Sequence, residues 1–138
     1  MLRLAEQCPE DVEVAYQTAW AHDSLGAEAE AVPFYETALA SPGLSATDRH
    51  GAFVGLGSTY RVLARYRDAI ATFRRGLGEF PGDAALQTFL AMALYNTGEA
   101  QDAVSTLLKV LTATTTDTGV QAYRRAIDYY ADNLDEVV

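Results

Sequence analysis

Four groups of residues in this 138-residue chain could carry chemistry. Gly55-Leu56-Gly57 could open a loop that cradles a phosphate, His22 and His50 could ligate a metal, and the Cys8 thiol could act as a nucleophile. Serine, aspartate and histidine are also all present, as a triad would need. Each fails on spacing or context. A dinucleotide fingerprint requires G-x-G-x-x-G between a strand and a helix, and Tyr60 stands where the third glycine belongs. A P-loop requires a lysine after its glycines, and none follows here. The two histidines lie 28 residues apart with no H-E-x-x-H. Cys8 is the sole cysteine, which excludes an internal disulfide or a multi-cysteine metal site, and no cation close in sequence lowers its pKa. Sequence order alone does not make a triad. The expectation is a non-enzymatic chain with no catalytic, cofactor-binding or metal-binding residues.

Composition narrows the alternatives. A hydrophobic fraction of 49% with 21% charged residues is enough to fold a soluble domain without cross-links. No apolar run approaches the ~20 residues that cross a bilayer, and the opening MLRLAEQCPED lacks a signal-peptide core. A cytoplasmic location with no membrane contact is therefore expected. The net charge of −9 opposes the counterion release that drives nucleic-acid binding, so no nucleic-acid partner is expected. The charge is segregated: net −8 over 1–48, +5 over 49–75 and −6 over 76–138. The basic middle reads either as arginines pairing with acidic neighbours or as a docking patch.

The elements that would position any functional residue are helical and recur. Phe53-x2-Leu56-Gly57-x2-Tyr60 is followed by Ala69-x3-Phe73 and then Pro81. Aligning GEAQDAVSTLLKVL with ARYRDAIATFRRGL pairs Ala103 with Ala69 at a spacing of 34, and Leu90, Ala91 and Leu94 then fall where Leu56, Gly57 and Tyr60 stood. Upstream, Ala31 and Tyr35 match Ala69 and Phe73 at a spacing of 38, with the extra residues assigned to SPGLSATDR. The pattern predicts a stub helix over 1–8, helix pairs over 12–25 and 28–41, 48–63 and 67–79, 84–97 and 100–112, and a capping helix over 119–134. The repeats are placed at 12–45, 48–83 and 84–117 of a single domain spanning 1–138. Gly57, Ala69 and Gly76 are predicted to let neighbouring helices approach closely, Pro33 to kink or fray its helix, and Gly98 to end one. In the cap, Val120, Tyr123, Ile127, Tyr130 and Leu134 make an apolar stripe opposite Arg124, Asp128 and Asp132.

These motifs resemble the tetratricopeptide repeat family over nearly the whole chain. The segments GLGSTYRVLARYRDAIATFRRGLGEFP and FLAMALYNTGEAQDAVSTLL are similar to a small bacterial group of it, tetratrico peptide repeat group five. The resemblance implies an all-α solenoid of antiparallel helix pairs, no catalysis, and a concave groove that binds a peptide segment or a partner protein. The first helix of each pair would line that groove. Once packing positions are removed it offers Tyr16, Trp20 and Asp23, then Ser58 and Arg61, then Thr88, Met92 and Tyr95. Val12, Tyr16 and Trp20 can equally be read as core packed on the stub helix. Family members that clamp a terminal carboxylate do so with groove lysines, arginine and asparagines. Here the only lysine, Lys109, falls on an outer helix, which argues against such a clamp. Because the first unit is incomplete, a second copy could cover its leading face, so a homodimeric assembly module is the alternative function.

Overall fold

The computed structural model describes residues 11–137, in which eight α-helices and no strand are found. They are α1 (Val12–Ser24), α2 (Glu28–Ala40), α3 (Ala46–Val62), α4 (Tyr66–Glu79), α5 (Ala84–Asn96), α6 (Ala100–Thr114), α7 (Thr118–Ala122) and α8 (Arg124–Ala131). The expected stub helix, with Cys8 and Pro9, lies outside the described residues.

Local chemistry sets the boundaries, and it repeats with the sequence. The first helix of every pair begins at a side-chain cap. Asp11 accepts from the backbone N–H groups of Glu13 and Val14, Ser45 from that of Asp48, and Asp83 from that of Leu86. Asp117 does the same for Val120 at the start of α7. Each such cap satisfies a donor the helix leaves open, worth about 1 kcal/mol. The first helix of every pair also ends alike. The N–H groups of Ala27, Arg65 and Glu99 reach back to the carbonyls of His22, Tyr60 and Leu94 at 2.8, 2.8 and 2.9 Å. This closing motif needs a left-handed residue just before the donor. Gly26 (φ 77°), Ala64 (φ 61°) and Gly98 (φ 83°) occupy that position. Ala64 is the one that carries a Cβ there, at a cost of about 1 kcal/mol relative to glycine.

Helices α1 to α6 stack in order, each on the one before it, and α8 packs on α6. α1 also touches α3, and α3 touches α5, whereas the second helices are less directly joined, as where Arg75 of α4 donates to the Leu39 carbonyl of α2. That asymmetry curves the stack, with the first helix of each pair on the inner side. The interior is built from Ala31, Val32, Tyr35, Phe53, Leu56, Tyr60, Ala69, Ile70, Phe73, Leu86, Leu90 and Ala103, all buried. Pro81 is exposed, in the turn between α4 and α5. Pro33 lies within α2, which continues through it without a break, and the proline is on the exposed side.

The C-terminal cap differs from the single helix expected over 119–134. It is interrupted at Tyr123, and α8 meets α6 through its polar side. Asp128 accepts from Thr112 Oγ1 at 2.6 Å, Asp132 pairs with Lys109 at 2.5 Å, and Ala131 is buried between them. Gln121 Nε2 donates to the carbonyls of Thr112 and Thr115, at 2.9 Å each. Five hydrogen-bonding side chains thus hold the cap, Asp128 and Asp132 among them from the face that periodicity assigned to solvent, while Val120, Ile127 and Leu134 of the apolar stripe are half-buried. Tyr123, Tyr129 and Tyr130 are left exposed.

Candidate functional site

The two glycines of Gly55-Leu56-Gly57 point to opposite sides of α3, as residues two apart on a helix must. A Cβ on Gly57 would collide with the Phe73 ring of α4. One on Gly55 would lie 2.5 Å from Cζ and the hydroxyl of Tyr35 on α2. The pair therefore lets α3 be sandwiched between its own partner helix and the preceding repeat. Gly51, a turn earlier, makes the same room for the Tyr16 hydroxyl. Gly76 faces Phe53 and Leu86, whose atoms lie 3.1 Å from where its Cβ would be. Mid-helix glycine sacrifices about 1 kcal/mol of propensity. Close approach of aromatic rings is what that sacrifice permits.

Seating the rings of Tyr16 and Tyr35 against these glycines creates a concave cleft of about 430 Å³, lined also by Trp20, Asp23, His50 and Ser58. The Tyr35 hydroxyl donates to Asp23 Oδ2 at 3.0 Å, and the Tyr16 and Tyr35 ring centroids are 6.4 Å apart. Burial, followed by the charge of Asp23, pushes the Tyr35 phenol well above its ordinary pKa, so it stays a donor. One repeat on, Tyr60 bonds to Glu36, and burial together with that bond raises its phenol to about 12. Trp20 is 58% exposed at the rim of the cleft. His22, one position from the groove face, stacks on Phe34 with centroids 5.6 Å apart. His50 faces Asp83 at 3.0 Å and meets Phe80 edge-on. Burial alone would raise Asp83. Its hydrogen bonds from His50 and from the backbone of Leu86, with the charge of His50, outweigh that and hold it below the usual carboxylate value.

A second cleft, of about 370 Å³ and predominantly apolar, lies at the other end of the concave side. Arg61, Met92 and Tyr95 line it from α3 and α5, and Val104 and Leu107 from α6. Of the eight groove residues proposed from sequence, Tyr16, Trp20, Asp23 and Ser58 line the first cleft and Arg61, Met92 and Tyr95 the second. Thr88 lines neither. Its hydroxyl donates to the Ala84 carbonyl within its own helix.

Sequence reasoning missed Val104 and Leu107, although the repeat holds the signal. Their equivalents are Val32 and Tyr35 in α2 and Ile70 and Phe73 in α4, all buried beneath the next helix of the stack. On α6 that covering helix is absent, because the cap sits on the Lys109 and Thr112 side. Val104 and Leu107 are consequently 45% and 42% exposed, and Leu111 beside them is 41% exposed.

The basic middle segment is largely consumed within the fold. Arg49 forms a two-pronged pair with Glu79 at 2.6 and 3.0 Å, Arg65 pairs with Asp68, and Arg75 donates to the Leu39 carbonyl. Arg61 donates to Asn96 Oδ1 at 2.7 Å, across the inner helices. Two further arginines of the segment, Arg67 and Arg74, are exposed.

Residues 12–134 match the family model described as tetratrico peptide repeat. The chain belongs to the tetratrico peptide repeat family. Tetratrico peptide repeats generally mediate protein–protein interaction. No curated protein matches the chain in a sequence comparison. Among the described residues no group of histidine, cysteine and carboxylate side chains could hold a metal ion. No described helix is long and apolar enough to cross a membrane.

Proposed function

We propose that the chain is a non-catalytic interaction module that holds a peptide segment or partner protein along its concave side. The observation that carries this reading is the placement of Trp20, Met92 and Tyr95. All three are exposed large side chains on the inner helices, and each lines one of the two clefts. Aromatic residues and arginine anchor interfaces because they bury much area at low entropic cost and keep a polar edge. Tyr16 and Trp20, four residues apart, address the same partner surface. Capture of a partner, or binding on a peptide array, is expected to weaken about tenfold or more in Trp20→Ala and again in Arg61→Ala. Trp20→Ala should keep the parent melting temperature, and Arg61→Ala, which also loses the hydrogen bond to Asn96, should stay folded with a slightly lower one. Unchanged binding in both removes the concave side from the function.

The uncovered face of α6 favours a second reading, self-association. Val104, Leu107 and Leu111 form a trough of the kind that a following helix fills in the two preceding repeats. The tyrosine face of the same chain's α8 is apolar and equally uncovered. Mating the two between copies would bury both faces around a two-fold axis. Sedimentation equilibrium should then show a dimer that Leu107→Asp dissociates. A monomer at high concentration excludes this reading.

A further inference from the structure

The cleft around Asp23 combines features that the general reading does not use. Asp23 is the one carboxylate lining it, and no cation of the described residues pairs with that carboxylate. Its Oδ2 is held by the Tyr35 hydroxyl, so the group is fixed in place while Oδ1 carries no such bond. Two aromatic side chains stand beside it on the same helix, Trp20 three residues earlier and Tyr16 seven earlier, while the Tyr35 ring comes from α2. Asp23 also lies in the last turn of α1, the negative end of the helix dipole. Ser58 Oγ, buried and with no hydrogen-bond partner, adds a free polar atom to the wall. Between Asp11 and Asp48 there is no lysine or arginine to neutralise any of this.

A carboxylate beside an exposed aromatic ring, here Trp20, is the environment that stabilises an organic cation, through charge-assisted hydrogen bonding and attraction to the ring quadrupole together. A volume of about 430 Å³ is that of a ligand-sized cleft. An acidic or purely apolar side chain would leave Asp23 unpaired there, and burying an unpaired charge is costly. We infer that this cleft receives a cationic side chain, arginine above lysine, from a basic segment of the partner. The preference for arginine follows from its planar guanidinium, which can stack on Trp20 while donating to Asp23. This inference rests on the concave side being the binding surface and specifies the chemistry of what binds there.

Trp20 is the only tryptophan, so its fluorescence reports on this cleft alone. Titration with a blocked tetra-arginine peptide is expected to give a saturable change, a weaker one with tetra-lysine, and none with tetra-glutamate. Asp23→Asn retains an acceptor for Tyr35 and should fold normally, yet weaken the arginine response about tenfold or more. Asp102→Asn removes an equal charge from an exposed position on α6 and should leave the response unchanged. An arginine response that survives Asp23→Asn, or that falls equally in Asp102→Asn, overturns the inference. So does the absence of any saturable arginine response. The broader reading is separable: partner binding lost in Trp20→Ala but kept in Asp23→Asn defeats the cationic assignment and leaves the concave surface standing.

Discussion

Phe73→Ala is expected to destabilise the protein by about 3–5 kcal/mol, enough to lose most of the stability of a domain this size. The ring is fully buried and lies between helices. It stacks on Phe89 of α5 with centroids 6.1 Å apart, and its edge occupies the space that Gly57 leaves on α3. Three helices therefore meet on this one side chain, and removing it opens a cavity that none of them can close alone. Gly57→Ala approaches the same contact from the other side. The added methyl gains about 1 kcal/mol of helix propensity but drives into the ring, where overpacking costs about 1–3 kcal/mol. The net expectation is a loss. Combining the two substitutions should cost less than their sum, because the methyl enters the space the ring vacated. Urea unfolding of the parent, both single variants and the double variant measures this coupling. Strict additivity would show that Gly57 and Phe73 do not share the space the structure assigns them.

Much of the fold was legible because its stacking depends on small residues at recurring positions. Ala31, Ala69 and Ala103 are buried at the start of each second helix, and Tyr35 and Phe73 follow four residues later, also buried. Residue size and spacing alone express that arrangement, so periodicity reveals it. The turns were readable in part. Gly98 advertises a left-handed residue, whereas Ala64 adopts the same conformation with no sequence signal, because the bond from Arg65 N–H to the Tyr60 carbonyl holds it there.

The cap was legible only in part: of the apolar stripe, Val120, Ile127 and Leu134 are half-buried, but Tyr123 and Tyr130 are exposed. Here Thr112 and Lys109 dock α8 by Asp128 and Asp132, Gln121 ties α7 to the carbonyls of Thr112 and Thr115, and the tyrosines face outward. The same displacement uncovers Val104 and Leu107, which by repeat position should be core. Side-chain pairing at the end of a solenoid is decided by a few polar contacts, and those leave no period in the sequence. The residues lining the two clefts follow a simpler rule. They are what remains on the inner helices after the packing positions are removed, and only Thr88 lies outside the clefts that result.

Replacing Gly55 tests packing and site together, since the ring it accommodates also forms part of the cleft. Gly55→Leu is expected to cost about 2–3 kcal/mol by overpacking. The atoms a side chain would meet belong to the Tyr35 ring, which is buried and has little freedom to swing aside. If the ring moves, its hydroxyl leaves Asp23 and its contact with Tyr16 changes. The consequence then extends beyond stability to the environment of Trp20. Thermal unfolding should show the loss, and the Trp20 emission maximum should shift in the folded variant at low temperature. Gly55→Leu combined with Tyr35→Leu trades ring volume for the added side chain and should recover part of the stability. It should not recover the emission spectrum, because the hydroxyl that fixes Asp23 is gone. A Gly55→Leu variant that melts with the parent chain and keeps its emission would mean that α2 and α3 are not pressed together at this point. The cleft would then need a different floor from the one formed by Gly51, Gly55 and the two tyrosines.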